Sequence, residues 1–141
     1  MGLTLDDACS RYPGAETFTF GDSAELSKRL LQLVRSGKKT ATCGALRDFA
    51  AGGEAMPSVG RRDIALEWDR RPALVIETID VFQAAFADVD EAFALAEGEN
   101  TTLAGWRRDH RMYFERNGGW SEDMMLVCER FRLVEDFALG N

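Results

Sequence analysis

The segment from Asp22 to Thr42 constrains the fold more than any other part of the chain. Asp22-Ser23-Ala24-Glu25 reads as a helix start, with Asp22 as N-cap and Glu25 in the capping-box position three residues on. Leu26, Leu30, Leu33 and Val34 then recur at helical spacing, so one face is buried. Gly37 is a natural stop, because glycine enters the left-handed conformation without steric cost. Thr40 to Leu46 follows at once with the threonine content of a strand. An amphipathic helix that feeds straight into a strand is tied to a sheet.

The rest of the chain fills in that sheet. Residues 1–17 read as a loosely tied lead-in, and 18–141 as a single domain. Phe18 and Phe20 alternate with threonines as in a short strand. Ala50 to Ser58, with Gly52, Gly53 and Pro57, is a loop. Asp63 to Trp68 and Ala73 to Phe82, joined by Asp69-Arg70-Arg71-Pro72, predict an antiparallel hairpin. Val89 to Ala96 predicts a short helix. Thr101 or Thr102 caps another that runs to about Asn117, where Gly118-Gly119 breaks it. Met125 to Val134 is a final apolar strand. Strand pairs joined by short turns predict an α+β fold, a curved antiparallel sheet or small barrel with helices laid against it. Regular βαβ alternation and a Gly-x-Gly-x-x-Gly fingerprint are both absent, so no dinucleotide site is indicated.

Composition narrows the function classes. The 141 residues carry a formal net charge of −7, which argues against a protein that coats duplex DNA, because counterion release favours basic chains there. A local basic pocket for a single strand or one nucleotide remains compatible with that charge. No apolar run approaches the roughly 20 residues that span a bilayer. The N-terminus lacks a basic start followed by an apolar stretch, and Gly2 is followed by Asp6 where a myristoylation motif has Ser or Thr. Cys9, Cys43 and Cys128 are odd in number and far apart, which predicts a reducing, cytoplasmic setting and no zinc site.

Chemistry concentrates at three places. Gly37-Lys38-Lys39-Thr40-Ala41-Thr42 is not a P-loop: Gln32 stands where the first glycine belongs, and Lys39 stands where Ser or Thr should follow Gly-Lys. What remains is a helix end with two cations, one of which complements the helix dipole. Adjacent Lys38 is expected to favour a neutral Lys39, which could activate a threonine hydroxyl. A regular strand would put Lys39 and Thr42 on opposite faces, so that pairing requires a bend between them. Glu97-Gly98-Glu99 is a compact acidic turn able to orient a lysine or move a proton. On the following helix, Trp106, His110, Tyr113 and Phe114 share one side, with Arg107, Arg108 and Arg111 on the neighbouring face. Aromatics beside arginines suit base stacking and phosphate contact. His110 is the only histidine and reads as a structural hydrogen-bonder. Glu129 and Arg130 project to opposite faces of the last strand, and Arg130 is a candidate partner for a buried carboxylate.

In Phe20-Gly21-Asp22-Ser23, Leu33 to Thr42, Pro57-Ser58-Val59-Gly60, Glu77 to Val81, Ala96-Glu97-Gly98-Glu99, Leu103 with Trp106 and His110, and Leu126 to Phe131, the chain resembles the ASCH domain family, in its longer bacterial type. The resemblance covers roughly Phe18 to Val134. It implies a PUA-like β-barrel with helices packed around a cleft, and RNA-related ligands. Some relatives hydrolyse an acyl amide of a modified cytidine with a lysine, a threonine and a glutamate, which fall here on Lys39, Thr42 and Glu99. Others act as ribonucleases, and a nucleolytic activity would leave room for a divalent metal; no cofactor and no metal ligands are assigned. The amidohydrolase relatives are shorter than this chain. Longer members continue the acidic turn as Glu-Gly-Glu-Gly-Asp, where this chain has Asn100-Thr101 after Glu99.

The resulting expectation is a small hydrolase of RNA or an acylated cytidine, with Lys39, Thr42 and Glu99 catalytic. Lys38, Thr40, Glu97, Trp106, Arg107, Arg111 and Arg130 are expected to bind substrate. The alternatives are a non-catalytic RNA-binding module or a regulatory domain for a small anionic metabolite. A closed pocket joining Lys39, Thr42 and Glu99 favours the enzyme, and an open basic groove favours the binder.

Overall fold

A computed structural model describes residues 3–50 and 52–138. Gly2, with the myristoylation reading, and Ala51, within the expected loop, lie outside the described residues. Five strands form one sheet in the order β1-β3-β4-β5-β2. They are β1 Glu16–Phe18, β2 Ala41–Ala45, β3 Arg62–Leu66, β4 Pro72–Ala85 and β5 Met125–Asp136. All neighbours are antiparallel except β1 and β3. Register shifts in β4 at Val75/Ile76 and Thr78/Asp80 bend the long strands, since a bulge increases local twist. The sheet curls into a half-barrel whose two edges are β1 and β2. The expected α+β class and curved, PUA-like sheet are therefore present, with an open seam between the edge strands.

Helices α1 Leu5–Arg11, α2 Ala24–Arg35, α3 Glu91–Ala96 and α4 Leu103–Arg116 pack on this sheet. The lead-in is not loose: Thr4 and Asp7 form a capping box, and Ala8 is fully buried against Ile64, Leu66, Val75 and Phe137. Helix α1 is only seven residues long, and its burial rests on residues distant in the chain. Helix α2 starts one residue later than expected. Ser23, not Asp22, accepts from the Leu26 amide, and Asp22 instead receives Arg116 and Asn117. Leu30, Leu31 and Val34 of α2 bury against Phe20, Leu74, Ile76 and Phe131, each such side chain contributing about 1.5–3 kcal/mol. Thr102 caps α4, whose Trp106 and Phe114 enclose Phe86 together with Phe93 of α3. Among the described residues, no helix is long and apolar enough to cross a membrane.

Candidate active site

Two backbone turns bring the chemistry together. At the end of α2, Gly37 adopts φ +81°, its N–H donates to Val34 O, and the N–H groups of Lys38 and Lys39 both donate to Leu33 O at 3.0 Å. This wrapped C-terminus turns Lys38 outward and Lys39 inward. Strand β2 begins only at Ala41, so the chain departs from a regular strand between Lys39 and Thr42, as their pairing requires. Opposite, α3 ends at Ala96 and Gly98 turns the chain with φ +80°. A Cβ on Gly98 would sit 2.5 Å from Lys38 O, so only glycine lets the acidic turn press against the lysine backbone. The Thr40 amide donates to Ala96 O at 2.8 Å and locks the two turns together.

The side chains complete a compact charged cluster. Lys39 is 2% exposed. Its ammonium donates to Glu97 Oε1 at 3.3 Å, Glu97 O at 3.4 Å and Glu99 Oε2 at 3.5 Å. Glu97 Oε2 accepts from Trp106 Nε1 at 2.7 Å and faces Cys43 Sγ at 3.4 Å. Burial alone would raise the Glu97 pKa, but the charges of Lys39 and His110 outweigh it and hold the group at about 2.

His110 is more than a structural hydrogen-bonder. Its Nδ1 lies 2.9 Å from Trp106 O, and a carbonyl only accepts, so Nδ1 carries a proton. Its Nε2 faces Glu97 Oε2 at 3.5 Å and Glu99 Oε2 at 3.9 Å. Two carboxylates there favour a second proton. Burial works against the imidazolium, yet Glu97 and Glu99 raise the pKa above its ordinary value. Lys39 and His110 thus face Glu97 and Glu99, and protonation of His110 would match the second carboxylate.

The cluster floors a cleft of about 250 Å³. Lys39, Thr42, Glu97, Glu99 and His110 line it, with Arg29 and Arg116 among its walls. Arg29 reaches Glu99 O at 3.2 Å. Neither arginine was singled out from the sequence, because α2 and the end of α4 come together only in the tertiary structure.

The other expected binding residues lie elsewhere. Lys38 and Thr40 are exposed outside the cleft, and the Thr40 hydroxyl donates to Ala96 O. Lys38 therefore does not crowd the Lys39 ammonium, as the sequence had suggested. Trp106 is fully buried and supports Glu97 instead of stacking on a ligand from an open surface. Arg107 donates to Ala87 O, and Arg111 pairs with Glu115 over the Trp120 ring, both on the outer side of α4. Arg130 lies 5.5 Å from the Phe93 ring centre and makes no ion pair among the described residues.

The three cysteines are free thiols. Among the described residues, ligand atoms of Cys43, Glu97 and His110 lie within 4.8 Å of one another. Sulfur, nitrogen and oxygen donors suit a zinc-like ion and not the oxygen-rich shell of magnesium. Both Glu97 oxygens are already engaged, and burial, then Glu97, push the Cys43 thiol well above its usual pKa.

A curled five-stranded half-barrel with four helices matches the architecture of ASCH and PUA-like structures. A family model for the ASCH domain matches residues 16–135, and the chain belongs to that family. It is similar to protein EF3133 from Enterococcus faecalis V583, with 32% identity, a TM-score of 0.83, and coverage of 96% of this chain and 88% of that one. An ASCH domain from Lactobacillus crispatus JV V101 is 29% identical with a TM-score of 0.78, over 93% of this chain and 86% of that one. A point mutant of ZmASCH from Zymomonas mobilis, at 11% identity and a TM-score of 0.50, shares the fold over 86% of this chain and 72% of that one. No curated protein matches the chain.

Proposed function

We propose that this chain is a small hydrolase of RNA or a modified nucleoside, with the amide of an acylated cytidine as the leading substrate class. The observation that carries this reading is Lys39, buried beside Glu97 and Glu99 in the same cleft that Thr42 lines. An ammonium wedged between carboxylates serves better as an electrophile than as a base. On substrate binding Lys39 would exchange its longest contact, to Glu99 Oε2 at 3.5 Å, for the carbonyl oxygen and stabilise the oxyanion that forms there. Glu99, the more exposed carboxylate, would take a proton from an attacking water oriented by the Thr42 hydroxyl. Water adds to the carbonyl carbon, the C–N bond breaks, and Glu99 returns the proton to the departing amine. Glu97 and His110 would hold Lys39 and Glu99 in register, and Arg29 would attract phosphate.

Incubating the protein with N4-acylated cytidine and with short single-stranded RNA tests this. Turnover of one substrate is expected, reduced about 100-fold or more in Lys39→Ala and Glu99→Gln. No turnover of either, or a rate unchanged by Lys39→Ala, would sink the reading. A binder without catalysis draws support from the outer side of α4, where Arg107 and Arg108 flank Arg111, itself 4.2 Å from the Trp120 ring centre. Such binding should weaken steeply with salt and with Arg111→Ala.

A further inference from the structure

The cleft continues into a second lobe of about 260 Å³ lined by β1, β2, β3 and β5. The lobes share Phe20, Gly21, Thr42, Cys43, Tyr113 and Phe114. Their electrostatics differ. Glu16, Asp48, Glu54, Asp63 and Glu129 line the second lobe, with Arg61 as its one cation among the described residues. Arg61 is already committed: it donates to Asp63 Oδ2 at 3.0 Å and to the carbonyls of Ala55 and Met56 at 3.2 and 2.8 Å.

Asp63 is 4% exposed and sits mid-sheet, opposite Glu16 in β1 and Ile76 in β4. Its Oδ1 is buried without a hydrogen-bond partner. The Glu16 backbone slightly favours its charged form but lies outside hydrogen-bond geometry. Leaving such an acceptor dry and unpaired is costly. Among the described residues, Glu129, directly opposite Thr42 on β5, receives only a long 3.4 Å hydrogen bond from the Thr78 hydroxyl. Burial raises both groups, Asp63 above its ordinary value and Glu129 to about 7, and the Asp63 charge adds to the rise of Glu129. Phe18, Phe49 and Tyr113 add flat apolar walls. An unpaired Asp63 Oδ1 and a weakly paired Glu129, set between aromatic walls, describe half of a recognition site.

We propose that this lobe is a ligand subsite for a planar group with adjacent N–H donors, the amidine-type edge carried by guanine or an arylamidine, accepted by Asp63 and Glu129. Such a group supplies the missing donors while its faces meet the aromatic walls. With phosphate drawn toward Arg29 in the first lobe, the two lobes orient a nucleotide along the cleft. The guanine form rests on the nucleoside reading of the site; the amidine form does not.

Calorimetric titration of the full chain at about pH 8, above the Glu129 titration, tests the proposal. The probes are benzamidine and the four common ribonucleoside monophosphates, each titrated into wild type, Glu129→Gln and Asp63→Asn. Thermal melting confirms that each variant folds. Wild type should bind benzamidine, with affinity falling about tenfold or more in each folded variant. It should also prefer guanosine monophosphate, and the variants should lose that preference. Undetectable benzamidine binding in wild type, or equal affinity in wild type and Glu129→Gln, overturns the subsite. Benzamidine binding that the variants lose, without discrimination among nucleotides, upholds the subsite and overturns its guanine assignment.

Discussion

The two lobes of the cleft share a wall yet meet opposite electrostatic demands. In the first, buried carboxylates are matched by buried cations: Lys39 and His110 stand against Glu97 and Glu99. In the second, Asp63 and Glu129 stand close together with Arg61 as their cation. The first lobe is internally satisfied and so is suited to hold catalytic groups rigidly. The second carries unmet acceptors and so is suited to receive a ligand. Burial is common to both. The difference lies in whether a lysine or a second carboxylate was placed next to the buried acid.

Removing a partner from the balanced lobe should have the largest effect. Glu97→Ala leaves Lys39 and His110 facing one carboxylate and strips the acceptor from Trp106 Nε1. A broken buried pair costs about 3–5 kcal/mol, so urea unfolding should show a loss of that order. Glu97→Gln keeps an acceptor for Trp106 and should lose less. A loss under about 1 kcal/mol in Glu97→Ala would mean that the lobe is wetter than its geometry implies.

The acidic lobe should respond with the opposite sign. Glu97 is lowered from 4.5 to about 2, so its stabilisation is present above pH 4.5 and disappears as pH falls toward 2. Glu129 is raised from 4.5 to about 7, so between those values the folded state holds a proton that the unfolded state has lost. Stability therefore falls as pH rises across that window. His110 slopes the same way, its stabilisation being complete below 6.5 and lost as pH climbs through its raised pKa. Comparison with Glu129→Gln isolates the Glu129 share. That variant should be more stable than wild type by about 1–2 kcal/mol at alkaline pH and flatter between pH 4.5 and 7. A less stable Glu129→Gln at alkaline pH would remove the contrast between the lobes.

The balanced lobe was more legible in the sequence than the acidic one, for physical reasons. Gly37 and Gly98 mark the two turns, and a lysine beside one and glutamates beside the other are local signals. The partner order was not local. Glu97, expected to bind substrate, comes closer to Lys39 than Glu99 does because Gly98 presses the turn onto Lys38 O. His110 joined the site through the face of α4 that also buries Trp106, so a core position and a site position shared one helical stripe. The acidic lobe assembles from β1, β3, β5 and the loop after β2, separated by up to most of the chain. Nothing in the spacing of Glu16, Asp63 and Glu129 announces that they share a face; strand order and register place them there. The main strands and helices were readable because hydrophobic period and caps are local. α1 was missed because its burial rests on Phe137, near the other end of the chain.

Thr42 belongs to both lobes and offers the smallest and sharpest test. It lines each cavity and stands opposite Glu129 across the β2–β5 pair. Among the described residues its hydroxyl makes no side-chain hydrogen bond, so folding does not depend on it. Valine has the same shape and a strand-favouring branched Cβ. Thr42→Val should therefore leave unfolding free energy within about 0.5 kcal/mol of wild type. If the hydroxyl orients the attacking water, turnover should fall about tenfold or more in the same variant, with the affinity of benzamidine for the acidic lobe little changed. A loss of benzamidine binding with turnover intact would move Thr42 from the catalytic lobe to the ligand lobe. Equal loss of both would mean that the cavities act as one site.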